Sequence, residues 1–205
     1  SQVVDFCNSA SYTISMSTDK AYILMGIKHS GKSTQGRFLA DYLKCLFFDV
    51  DEIIQKNTGK SAREYYTENG PVAFMALEEA ICEKLTLTYK GQQVVVSTGG
   101  GICDNAPAIT HLRNLGKFVY IQVSEETACD RIMKKAMRLS DGTWKGLPAY
   151  INNRKPANEK EAREIFSEFY AARTEIYENI ADITIPVKNA SKEENFEELK
   201  KVLSI

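Results

Sequence analysis

Gly26-Ile27-Lys28-His29-Ser30-Gly31-Lys32-Ser33 satisfies the spacing G-x-x-x-x-G-K-[ST], and nothing else in the chain narrows its possible folds so sharply. The motif has chemical meaning only between a strand and a helix, and it stands there: the apolar run Tyr22 to Met25 precedes it, and a helical pattern opens at Lys32. In that setting successive backbone N–H groups face phosphate oxygens and the following helix adds its positive end. Lys32 then reaches the terminal phosphates, and the Ser33 hydroxyl is offered to magnesium. Chance alone would supply such a match in about 1% of chains of this length, before context is counted. The nucleotide is therefore expected on Gly26, Lys28, Ser30, Gly31, Lys32, Ser33 and Thr34. His29, without an acidic partner nearby in sequence, reads as a side chain pointing outward.

The rest of the chain supports that setting. After Lys20, short apolar runs alternate with longer helical stretches, the rhythm of parallel βαβ units in an α/β fold. Strands are predicted at Tyr22 to Met25, Leu46 to Asp49, Val94 to Ser97, Phe118 to Gln122 and Ile183 to Val187. Helices are predicted at Lys32 to Leu43, Val72 to Leu87, Asp104 to Leu112, Glu125 to Ala136, Lys160 to Asn179 and Lys192 to Leu203. Ser191 followed by Glu194 predicts a capping box at the last of these. Met137 to Asn158 is polar and aperiodic and carries Gly142, Gly146, Pro148 and Pro156, so it reads as a long mobile loop of the kind that serves as a lid. Residues 1–18 read as a leader outside the fold, with Met16 as the natural start, and 19–205 as one domain.

Composition excludes several classes. A formal charge of -1 provides no field for nucleic acid or anionic membrane. No apolar run reaches membrane-spanning length, and the beginning lacks a signal-peptide pattern. The five cysteines form neither a CxxC pair nor a zinc pattern, which predicts reduced thiols in a cytoplasmic protein. A monomer with a small-molecule substrate is expected.

Two further constellations accompany the loop. Phe47-Phe48-Asp49-Val50-Asp51 ends the second strand, and period-two geometry sends Asp49 and Asp51 to one side at its carboxyl end, where open α/β sheets bind ligands. One carboxylate would serve the metal and the other an acceptor hydroxyl. The third strand runs into Thr98-Gly99-Gly100-Gly101, where backbone can approach a ligand closely.

Together, the phosphate loop, FFDVDEIIQKNTG, STGGG and FYAARTEIYENIADI resemble the shikimate kinases, over about Tyr22 to Val187. The resemblance implies a three-layer P-loop fold, a five-stranded parallel sheet flanked by helices with a mobile lid, and phosphorylation of a hydroxyl by ATP with Mg2+. It further implies Lys32 and Ser33 at phosphates and magnesium, Asp49 behind the metal, and Asp51 as the base on the acceptor. Gly99, Gly100 and Gly101 would lie along the substrate, Arg173 on its carboxylate, and Arg138 against adenine.

Two departures stand out. Met75 occupies the position of a family arginine that holds the substrate carboxylate, and Gly146-Leu147-Pro148-Ala149 replaces a lid segment beginning with arginine. Two such arginines would contribute about 3 to 6 kcal/mol, roughly 100- to 10,000-fold. Lys145, Arg154 and Lys155 are candidate replacements in the lid. Glu78 shares a helical face with Met75 and lacks the arginine it partners in the family. A pocket of Ala62, Tyr66, Phe74 and Met75 around one arginine fits a polyol less anionic than shikimate. A kinase for another acceptor, such as a sugar acid or nucleotide, and a silent nucleotide- or metabolite-binding regulator are the alternatives. A pure binder has no need of Asp51, which argues against the regulator.

Overall fold

The computed structural model describes residues 20–205, so the expected leader and Cys7 lie outside the described residues. In chain order the elements are β1 (Ala21–Met25), α1 (Lys32–Leu43), β2 (Leu46–Asp49), α2 (Val50–Thr58), α3 (Ala62–Tyr89), β3 (Val94–Ser97) and a 3-10 turn at Ile102–Asp104. They continue with α4 (Ala106–Arg113), β4 (Gly116–Val123), α5 (Glu125–Met133), β5 (Met137–Arg138), β6 (Trp144–Lys145), α6 (Ala149–Asn152), α7 (Glu159–Ile180), β7 (Ile183–Val187) and α8 (Lys192–Leu203). Five strands form one parallel sheet in the order β2-β3-β1-β4-β7.

Strand periodicity divides the core in two. Ala21, Ile23 and Met25 of β1, Val94 and Val96 of β3, and Phe118 and Tyr120 of β4 enter one apolar cluster. Leu24, Val95, Val119 and Ile121, the alternating residues, enter the other, against α1 and α8. Both faces are covered, which is why these strands read as unbroken apolar runs. Each fully buried large side chain contributes about 1.5–3 kcal/mol, so the central strands anchor the fold.

All five predicted strands are present, and the capping box at Ser191 and Glu194 forms as expected. The helices differ in several bounds, and α2 was not predicted. A second capping box, Ser61 with Glu64, starts α3 ten residues before the predicted Val72. Gly70, the residue before Pro71, takes the non-helical values φ 81 and ψ 172 and kinks α3 into two helical stretches. Helix α2 was hidden by the strand-like run before it; Asp49 caps its start and Gly59 its end. Asn105 caps α4, so Asp104 stays outside that helix, and α5 stops at Met133.

The predicted loop from Met137 to Asn158 also has structure. Strands β5 and β6 pair antiparallel around a turn at Gly142, with φ 83, whose Asp141 carboxylate accepts from the Thr143 amide and hydroxyl at 2.9 and 2.7 Å. Trp144 Nε1 donates to the Pro156 carbonyl at 2.9 Å, and Leu147 and Ile151 are fully buried. Gly146 has φ 89, and a Cβ there would lie 2.1 Å from the Lys135 carbonyl oxygen. No side chain fits at that position, so its lack of an arginine is fixed by backbone packing.

Candidate active site

Glycines shape the loop after β1. A Cβ on Gly26, at φ 152, would come within 2.7 Å of the Ile121 carbonyl oxygen of neighbouring β4. His29 and Gly31 also take positive φ, 65 and 95, and Ser30 N donates to the Ile27 carbonyl at 3.2 Å, which curls the segment on itself. Gly31 then caps α1 with no side-chain acceptor, and the first turn of α1 holds no acidic residue. Its leading N–H groups stay available to an anion. Ser30 Oγ is buried without a hydrogen-bond partner. These are the marks of a phosphate cradle.

Lys32 is buried and its ammonium donates to the Ile27 carbonyl at 3.2 Å. Burial and nearby Lys28 lower its pKa, while Asp51 and Asp49 oppose the shift. Ser33 Oγ donates to Asp49 Oδ2 at 2.6 Å and lies 3.3 Å from Ser97 Oγ. Thr34 is exposed in the first turn of α1. His29 does not simply point outward: Lys135 Nζ lies 3.4 Å from its Nδ1, and Arg131 donates to its carbonyl at 2.9 Å. Burial first, then the charges of Lys135, Lys28, Lys32 and Arg131, lower its pKa to about 4. It is therefore a neutral ring in a cationic rim. Tertiary folding alone brings α5 to this loop, and the sequence carried no signal for Arg131 or Lys135.

Asp49 and Asp51 do meet beside the loop, but not by strand alternation. The strand ends at Asp49, whose Oδ1 accepts from the backbone N–H of Asp51 at 3.0 Å and of Glu52 at 3.4 Å, so Asp51 sits in the first turn of α2. A helix cap holds the pair together. Asp51 is exposed at the mouth of a cavity of about 430 Å³ that Lys28, Lys32, Glu78, Gly99 and Arg173 also line. Desolvation by the surrounding protein and the charge of Asp49 raise its pKa; Lys32 and Lys28 act in the opposite sense.

The three glycines have distinct tasks. A Cβ on Gly99 would stand 3.1 Å from Asp51 Oδ1 and 3.3 Å from Glu78 Oε1, so the missing side chain keeps the space between two carboxyl groups open. A Cβ on Gly100 would lie 3.0 Å from Lys28 N, so this glycine serves contact with the phosphate loop. Gly101 borders open space. Tyr177 Oη donates to the Gly100 carbonyl at 2.5 Å and ties the segment to α7.

Arg173 reaches the cavity from α7, but its guanidinium is already engaged by Cys103 Sγ and by the Asp104 carboxylate. The expectation of a single arginine in the pocket needs correction, because Arg63 of α3 lines it as well. Met75 lines the cavity, and Arg138 sits exposed on β5. Among the lid candidates, Arg154 pairs with Glu168, and Lys145 is exposed on β6.

Glu78 has not found a replacement cation. It is 1% exposed, Oε2 accepts from Asn105 Nδ2 at 2.9 Å, and Oε1 has no partner. Burial raises its pKa to about 7; the Asn105 hydrogen bond lowers it, and Asp51 and Asp104 raise it further. Because the folded-state pKa exceeds the ordinary 4.5, stability is greatest at acid pH and falls between about 4.5 and 7 as only the unfolded chain ionises. The difference amounts to about 3 kcal/mol. Glu78→Gln is therefore expected to be more stable than the unmodified chain at pH 8 and equal to it near pH 4, read by urea unfolding at both pH values. A gap independent of pH would remove this account.

Among the described residues no three His, Cys, Asp or Glu side chains converge as metal ligands. Ser33 Oγ, backed by Asp49, would offer a magnesium ion one protein oxygen, with phosphate oxygens and water supplying the other ligands.

Comparison with known proteins places this geometry. A family model described as shikimate kinase matches residues 28–204. The shikimate kinase of Actinobacillus succinogenes is 30% identical over 177 residues, 86% of this chain and 90% of that one. The shikimate kinase of Chlorobium chlorochromatii is 35% identical over 162 residues, 79% of each. Among solved structures, shikimate kinase from Acinetobacter baumannii in complex with shikimate aligns with a TM-score of 0.68 at 26% identity, covering 91% of this chain and 94% of that one. The Aquifex aeolicus enzyme aligns with a TM-score of 0.65 at 29% identity, covering 90% and 96%.

Proposed function

The chain belongs to the shikimate kinase family, ATP- and Mg2+-dependent phosphotransferases that act on a small-molecule hydroxyl, and we propose that its acceptor is shikimate, with Lys32 and Asp51 carrying the transfer. The observation that carries the assignment is the gap at Gly99: Asp51 faces a space that only glycine leaves open, in the same cavity as Lys32.

The phosphates of ATP lie on the loop N–H groups and the start of α1, and Lys32 exchanges its Ile27 carbonyl for phosphate oxygens. Bound at Ser33, with Asp49 behind it, magnesium would neutralise phosphate charge. An acceptor hydroxyl at Gly99 lies against Asp51. Its oxygen attacks the γ-phosphorus, the bond to the bridging β,γ-oxygen breaks, and the hydroxyl proton passes to the Asp51 carboxylate. The raised pKa of Asp51 brings its basicity nearer to neutral pH, where proton acceptance is more effective. The hairpin of β5 and β6 with α6 forms a lid: Pro148, Ala149, Tyr150 and Asn153 border the cavity and would exclude water on closure. The reading extends to a single kinase domain in a reducing compartment, supported by the free thiols of Cys45, Cys82, Cys103 and Cys129.

A second reading, a less anionic polyol as acceptor, is favoured by Met75 and by the engagement of Arg173 with Asp104. Both are tested by ADP release from Mg-ATP across a panel of hydroxy acids and neutral cyclic polyols. Release that depends on shikimate is expected. Release that depends only on neutral polyols would transfer the assignment to the second reading, and nucleotide binding without turnover on any acceptor would leave a silent regulator.

A further inference from the structure

The kink at Gly70 divides α3 into two limbs, and both turn a face to the cavity. On the second limb Phe74, Met75 and Glu78 line it, at the spacing of one helical stripe. On the first limb Arg63, Tyr66 and Thr67 do the same. The acids of that first limb are engaged elsewhere: Glu64 closes the capping box with Ser61, and Glu68 pairs with Lys60. Arg63 is thus, among the described residues, the arginine of the cavity wall without an acid in ion-pair range, whereas Arg173 is held by Asp104.

Arg63 and Lys28 both line the cavity, and Asp51 is the carboxylate there that acts on Lys28 in the opposite sense to Arg63. The charge of Arg63 is felt at Lys28 of the phosphate loop, where it adds to burial in lowering the lysine's pKa. An anionic group bound in the cavity would relieve that repulsion. The side chain at 75 cannot bind such a group, and the guanidinium at 173 must first leave Asp104. Arg63 is exposed on a limb flanked by a glycine kink, so it can turn toward a ligand at low desolvation cost.

We propose that Arg63 is the specificity-determining residue that grips the carboxylate of the acceptor, supplying from the first limb of α3 the guanidinium that Met75 lacks on the second. This rests on the acceptor being a hydroxy acid. A guanidinium fork matches a carboxylate bidentately, and one such charge-assisted contact corresponds to about 10- to 100-fold in affinity.

The test is calorimetric titration of the full chain, unmodified and as Arg63→Ala and Arg63→Lys, with shikimate, with its methyl ester and with ADP, alongside steady-state kinetics. Expected is a 10- to 100-fold weaker affinity and higher KM for shikimate in Arg63→Ala, an intermediate loss in Arg63→Lys, and unchanged binding of the ester and of ADP. Equal losses for acid and ester would make the effect one of pocket shape and overturn the proposal. A loss confined to kcat or to ADP would move Arg63 to the transferring phosphate and overturn it too. Shikimate bound equally by the parent chain and Arg63→Ala would sink the Arg63 assignment alone. A parent chain that binds ADP but no hydroxy acid would sink that assignment and the acceptor assignment together.

Discussion

Replacing Lys32 by alanine is expected to lower phosphoryl transfer by about 10³-fold or more while leaving the folded chain intact. The size follows from what the ammonium does: it is a fixed charge beside the transferring group in a site with little water, and single electrostatic donors of this kind are worth about 10²–10³ in rate, with cationic fingers on phosphoryl groups reaching 10³–10⁵. The fold should tolerate the change because the buried ammonium has one hydrogen bond to a loop carbonyl and its pKa is lowered by burial, so it is placed at some cost to the protein. Far-ultraviolet circular dichroism and thermal unfolding would report the fold, and coupled ADP release the rate. A variant that folds and turns over at the parental rate would remove Lys32 from the mechanism.

Asp51→Asn is expected to reduce kcat by about 10²–10⁴-fold, the range for loss of a positioned general base, with KM for ATP changed only a few-fold. The structure separates this effect from damage to the fold. Asp51 contributes its backbone N–H, not its carboxylate, to the cap made by Asp49, and asparagine keeps that N–H. The sign of the stability change is also fixed. The pKa of Asp51 is raised in the folded chain, so its ionisation as pH rises is paid for by the folded state, and removing the charge should hold or increase stability at neutral pH. Loss of turnover without loss of stability is the expected pair of results. A turnover near the parental value, or a clearly lowered unfolding midpoint at pH 7, would contradict it.

The phosphate loop, the five strands and the acidic pair were legible because each is written in a short run of neighbouring residues. The unbroken apolar runs of Val94 to Ser97 or Phe118 to Gln122 need no knowledge of partners to imply strands. Helix α2 was missed because Asp49 and Asp51 read as the end of a strand, and the first limb of α3 because a non-helical Gly70 separates it from the longer second limb. The lid hairpin has two strands of two residues each, too short for any periodicity to register.

By itself the sequence determined the local chemistry: a backbone loop for phosphates, a lysine and a serine at fixed spacing within it, and two aspartates two residues apart, at and just past the end of β2. These depend on local backbone geometry, which neighbouring residues dictate. Only the tertiary structure decided the company of each group: that Glu78 is buried without a cation and its pKa raised to about 7, that Asp104 holds Arg173, that Gly146 admits no side chain, and that Arg63 faces the cavity. Desolvation, ion pairing and steric exclusion are set by atoms that arrive from far along the chain, and no local pattern encodes them.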